Sequence, residues 1–139
     1  MDFNCSDCKY LTSLKNSPQK VGESFICSDC KNLTSLEGVP ENVNLSFHCN
    51  NCSGLKSLEG APQKVGGGFN CSFCSKLESL KGAPQKVGWS FKCSSCPKSE
   101  SLVGAPKKVG GYFECSECGK QFTIDDVDKI SKVHGEIYV

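Results

Sequence analysis

The chain has 139 residues, about one domain in length, so it is read as a single folded unit. Its 16 Lys plus Arg, all of them lysine, against 15 Asp plus Glu leave a net charge of +1. That balance gives no overall field favouring nucleic acid, membrane or an acidic substrate, and a charge-driven partner must be met by a local patch.

No apolar run approaches the ~20 residues needed to span a bilayer. The opening stretch MDFNCSDCKY has neither a basic nor an apolar leader region. A soluble, cytoplasmic chain is expected, in which thiols stay reduced. Its 12 cysteines therefore point to metal binding or core packing before a disulfide framework.

From the first residues onward the chain is a repeat with a period of 22. One column holds Phe3, Phe25, Phe47, Phe69, Phe91 and Phe113. Two places on stand Cys5, Cys27, Cys49, Cys71, Cys93 and Cys115, and three further Cys8, Cys30, Cys52, Cys74, Cys96 and Cys118. Leucine columns follow (Leu11, Leu33, Leu55, Leu77 and then Leu14, Leu36, Leu58, Leu80, Leu102), then a proline column from Pro18 to Pro106 and a valine column from Val21 to Val109.

A strict period of this length marks a solenoid, whose units bury their apolar faces only against one another. Within each unit F-x-C alternates as a short strand does, while the G-A-P and V-G-G stretches carry the residues of tight bends. No unit has an apolar stripe at helical spacing, so one short strand and a compact loop return are expected per coil. The coils should stack as a parallel sheet about 4.8 Å apart.

The segment S-F-I-C-S-D-C-K-N-L-T resembles the L-x-x-L-x-L-x-x-N/C-x-L core of leucine-rich repeats. The resemblance covers residues 1 to 120. It implies a leucine-rich-repeat-like solenoid with Phe25 and Cys27 turned inward and Cys30 at the Asn/Cys position. The first cysteine replaces a leucine and the usual convex helix is missing. The G-A-P-Q-K-V-G-G returns also look like those of small repeat proteins of phages and prophages, which implies inhibition of a host defence protein, such as an anti-CRISPR protein acting on a CRISPR nuclease.

After Cys118 the pattern changes to GKQFTIDDVDKISKVHGEIYV. Thr123 and Asp126 form a capping box, Phe122 and Val127 a hydrophobic staple, and Val127, Ile130 and Val133 follow at helical spacing toward Gly135. This predicts a helix of about 11 residues with His134 near its end, followed by a final strand in EIYV. Residues 121–139 are thus expected to cap the stack.

The cysteine pairs are spaced C-x2-C-x18-C-x2-C, which suits four-cysteine zinc sites. Paired by adjacent coils, the twelve cysteines would hold three zincs. The same spacing arises automatically from any solenoid with two cysteines per coil, so a metal-free ladder of buried thiols remains open. Redox chemistry is the weaker reading, since a thioredoxin-like motif needs one exposed pair at a helix N-terminus. The stretch YFECSECGKQF looks like the start of a two-cysteine, two-histidine finger, but Ser131 stands at the first histidine position and only His134 follows.

Outward positions vary from coil to coil: Asn4, Ile26, His48, Asn70, Lys92 and Glu114 within the strands, with Leu45, Phe73, Trp89 and Tyr112 on the flanks. Exposed aromatics of this kind mark protein-binding surfaces. Ile26, Leu45, His48, Phe73, Trp89, Lys92 and Tyr112 are the candidate contacts. The alternative is a nucleic-acid-binding zinc protein using Lys20, Lys64, Lys86 and Lys108 with Lys107 and Lys120. No nucleophile and base pair by motif and no phosphate loop is present, so no enzyme is expected.

Overall fold

The structure is a computed structural model describing residues 1–139. It is a β-solenoid of about six turns, with two parallel sheets and one short C-terminal helix. The strands in chain order are β1 (Phe3–Asn4), β2 (Phe25–Ile26), β3 (Asn42–Val43), β4 (Phe47–His48), β5 (Lys64–Val65), β6 (Phe69–Asn70), β7 (Lys86–Val87) and β8 (Phe91–Lys92). There follow β9 (Lys108–Val109), β10 (Phe113–Glu114), helix α1 (Ile124–Asp128), β11 (Lys132–Val133) and β12 (Ile137–Tyr138).

The first sheet runs β1-β2-β4-β6-β8-β10-β12 and the second β3-β5-β7-β9-β11, every neighbour parallel. Register follows the repeat: Phe25 faces Phe47 and Val43 faces Val65. The second sheet was not expected. Its K-V pairs sit where the sequence suggests only a loop return, because two residues between Pro and Gly carry too little pattern to read as a strand.

Each coil closes around the same interior. Phe25, Phe47, Phe69, Phe91 and Phe113 are fully buried, and successive rings from Phe3 to Phe113 lie 4.7 to 5.6 Å apart, three of the five pairs stacked. Such pairs add about 0.5–1.5 kcal/mol each beyond area burial. The leucine, alanine and valine columns complete one continuous apolar core of 33 buried residues, so the unit's cohesion comes from stacking and not from any single coil.

Two glycine positions are dictated by geometry. Gly60, Gly82 and Gly104 have φ near +90°, and a Cβ there would lie within 2.4 to 2.6 Å of backbone in the preceding coil. Gly66, Gly88 and Gly110, with ordinary φ, instead meet a carbonyl oxygen of the preceding coil at 2.0 to 2.2 Å from a Cβ position.

The C-terminal segment departs from expectation. The capping box forms, with Thr123 Oγ1 accepting from the Asp126 N–H and the Thr123 N–H donating to the Asp126 carboxylate, and Phe122 and Val127 are both buried. The helix, however, has only 5 residues and ends at Asp128 with Lys129 as its C-cap. Val133 is not on a helix face but in β11, where it pairs with Val109, and Ile137 pairs with Phe113. The inter-coil ladder outweighs helix propagation: β11 must return to the second sheet. Helix α1 takes the place of the L-x-S-L-x-G corner in a coil that ends in two strands. His134 is therefore not a helix residue. It follows β11 and donates its backbone N–H to the Val109 carbonyl. No helix is long and apolar enough to cross a membrane.

Candidate functional site

The two cysteines of each coil flank a tight turn. The residue before the second cysteine is left-handed in every copy: Asp7, Asp29, Asn51, Phe73, Ser95 and Glu117 have φ of 54 to 61°. Aspartate and asparagine enter this region readily, and a bulky side chain does so at a cost.

The turn leaves its two ends without backbone partners: the carbonyl of the first cysteine and the N–H of the second. The next coil supplies both from one sulfur. Cys52 Sγ donates to the Cys27 carbonyl at 3.1 Å, and the Cys30 N–H hydrogen-bonds back to that sulfur. The relation repeats without alternation from Cys30 to Cys5, Cys74 to Cys49, Cys96 to Cys71 and Cys118 to Cys93, at 3.2 to 3.4 Å. The second cysteine thus has a defined task, since its thiol is small enough to enter the stack and can both donate and accept.

The first-column cysteines line the core, with the Cys71 thiol also donating to the Lys92 carbonyl at 3.3 Å. Cys27, Cys49, Cys71, Cys93 and Cys115 are at most 1% exposed. Burial pushes the thiol of Cys52 up to about 12, that of Cys5 to about 11 and that of Cys49 well above its ordinary range. Cys118 differs. A hydrogen bond from the Cys93 thiol, outweighing its partial burial, lowers it to about 7. Cys8 is exposed and Cys5 half-buried at the first coil.

Zinc requires deprotonated thiolates gathered four at a time. A pairing of adjacent coils would make near and far junctions alternate along the stack, yet the thiol-to-carbonyl contact is 3.1 to 3.4 Å at all five junctions. No three of the chain's Cys, His, Asp and Glu side chains gather into a set able to hold a metal ion. The donors in this arrangement do not fit a zinc site, and the columns form a hydrogen-bonded thiol ladder.

Outside the first sheet, Ile26, His48, Asn70, Lys92 and Glu114 form one row in register. Burial and the nearby Lys92 lower the pKa of His48. At the C-terminal end Lys92 Nζ lies 5.2 Å from the Tyr112 ring and 3.6 Å from Glu114, while Tyr138 meets Tyr112 edge-on at 5.7 Å. Tyr138 was missed by sequence reading because the segment carrying it has no cysteine to set the register.

Phe73, Trp89 and Leu45 are 59%, 62% and 51% exposed, but they do not join one aromatic cluster with Tyr112. Phe73 sits on the turn three residues after β6, whereas Trp89 and Leu45 stand two residues before β8 and β4, at the corner between the sheets. The candidate contacts therefore flank the outer row on both sides. No protein-family model, curated protein or solved structure matches the chain.

Proposed function

We propose that the chain is a binding module whose rigid stack of reduced thiols and phenylalanines presents the outer face of the first sheet to a protein partner. The observation that carries this reading is the contrast between columns. Inward positions repeat the same residue from coil to coil, while the outward row changes at every strand and ends in the Lys92, Tyr112, Glu114 and Tyr138 cluster.

Seven strands about 4.8 Å apart give this face a length of about 29 Å, enough for one side of a standard interface. The exposed Phe73 supports the same reading. Its left-handed backbone, φ 61°, is taken in other coils by Asp7, Asp29 and Asn51, so a large apolar side chain is held there against local preference.

The test is capture from a lysate of the source cell with the native chain and with a Phe73→Ala, Lys92→Ala, Tyr112→Ala variant of unchanged melting behaviour. A specific partner retained by the native chain and lost by the variant is expected. Equal retention refutes the assignment of this face. A host defence nuclease is the candidate to assay directly.

In this reading the cysteines hold the coils together and bind no metal. Elemental analysis of protein purified without added metal should find well under one zinc per chain. Close to three would restore the paired-site reading.

A further inference from the structure

The outward residue of the second sheet is lysine in four successive strands. Lys64, Lys86, Lys108 and Lys132 pair in register, so their stems leave one face at intervals of about 4.8 Å. All four are exposed and none joins an ion pair. Like charges directly opposite one another weaken a sheet. Elsewhere the chain avoids this, setting Lys81 beside Glu59 and Lys15 beside Glu37 one coil apart. The uncompensated row thus runs against the charge pattern of the rest of the surface. The sequence shows Lys64, Lys86 and Lys108 as a column, and the structure replaces Lys20 in it by Lys132, which falls outside the period of 22.

Beside three of the four lysines the surface is bare. Gly66, Gly88 and Gly110 occupy the next outward position beside Lys64, Lys86 and Lys108, and the exposed His134 takes that place beside Lys132. At that corner Trp89 stands between Gly67 and Gly111, its ring resting over Gly111. A straight cationic row whose floor is glycine beside three of its four lysines, with one exposed indole at its side, joins the two elements that hold a single strand: charge along the backbone and a stacking platform for a base.

We propose that this face binds single-stranded nucleic acid, with consecutive phosphates along Lys64, Lys86, Lys108 and Lys132 and one base stacked on Trp89. The row is about 14 Å long, matching a few nucleotides. The flat floor offers nothing to enter a groove, and an indole needs the open face of an unpaired base. Lysine acts as a point charge, so the binding is tolerant of sequence.

The experiment is titration of the full chain with a short oligothymidylate, read by anisotropy and by the intrinsic fluorescence of the chain's single tryptophan. Binding with quenched fluorescence is expected. Four phosphate contacts give a slope of log affinity against log salt of about −3. A Lys86→Gln, Lys108→Gln variant should bind at least tenfold more weakly with about half that slope, and Trp89→Ala should lose roughly 5- to 150-fold.

No binding at low salt, unchanged affinity in the lysine variant, or equal binding of duplex or inorganic polyphosphate without quenching would each overturn the proposal. The lysine substitutions leave the outer face of the first sheet intact. Partner capture there should persist in that variant, so this proposal and the protein-binding reading fail separately.

Discussion

Replacing Cys52 by alanine tests whether the second cysteine column works through hydrogen bonding and not only through burial. Cys52 is fully buried, its thiol donates to the Cys27 carbonyl at 3.1 Å and its sulfur accepts from the Cys30 N–H. Losing the sulfur's burial costs about 1 kcal/mol. Stranding a carbonyl and an N–H inside the stack adds about 1–2 kcal/mol, at the low end because a thiol is a weak partner.

Cys49→Ala is the internal control. Cys49 is equally buried, but it contributes its carbonyl, accepting from Cys74, while its sulfur packs among apolar groups. It should cost about 1 kcal/mol. Urea unfolding of both variants under reductant, with and without a chelator, should therefore separate them by about 1–2 kcal/mol, with the chelator changing neither. Equal losses, or a chelator that unfolds the native chain, would refute the ladder as the role of the second cysteine.

Alkaline pH should unfold the chain. The nine buried thiols titrate near 9.0 when unfolded and are raised by folding, Cys52 to about 12, so their contribution is intact below pH 9 and lost between pH 9 and about 12. Each raised thiol favours the unfolded chain more as pH climbs above 9, and the effects of the column add; circular dichroism against pH would show a cooperative loss above pH 9. Phe73→Asn should stabilise the fold by about 1 kcal/mol, because asparagine accepts a left-handed backbone and Phe73 buries little, while weakening partner capture; a lower unfolding midpoint would contradict this. Gly82→Ala should cost at least 2 kcal/mol or so, since its φ of +91° and a Cβ 2.4 Å from the Leu58 carbonyl oxygen leave no relaxed position; near-neutral unfolding data would contradict the packing described. Limited alkylation at neutral pH should reach Cys8, which is exposed, and Cys118, lowered to about 7, before any other thiol, as read by mass spectrometry.

The period of 22 by itself determined the solenoid, the inward Phe and Cys columns and the parallel stacking, because a side chain repeated in register must meet its own kind one coil away. The non-repeating tail marked the Thr123 capping box through its T-x-x-D spacing. Three things waited for the tertiary structure. The K-V pairs became a second sheet, since two residues form a strand only when neighbouring coils supply every hydrogen bond. The helix stopped at Asp128 because the chain had to return to β9, a long-range demand that local helical spacing cannot express. The setting of the cysteines also lay beyond spacing: zinc sites and a thiol ladder share C-x2-C-x18-C-x2-C, and only the structure seats each second-column sulfur against the carbonyl of the preceding turn.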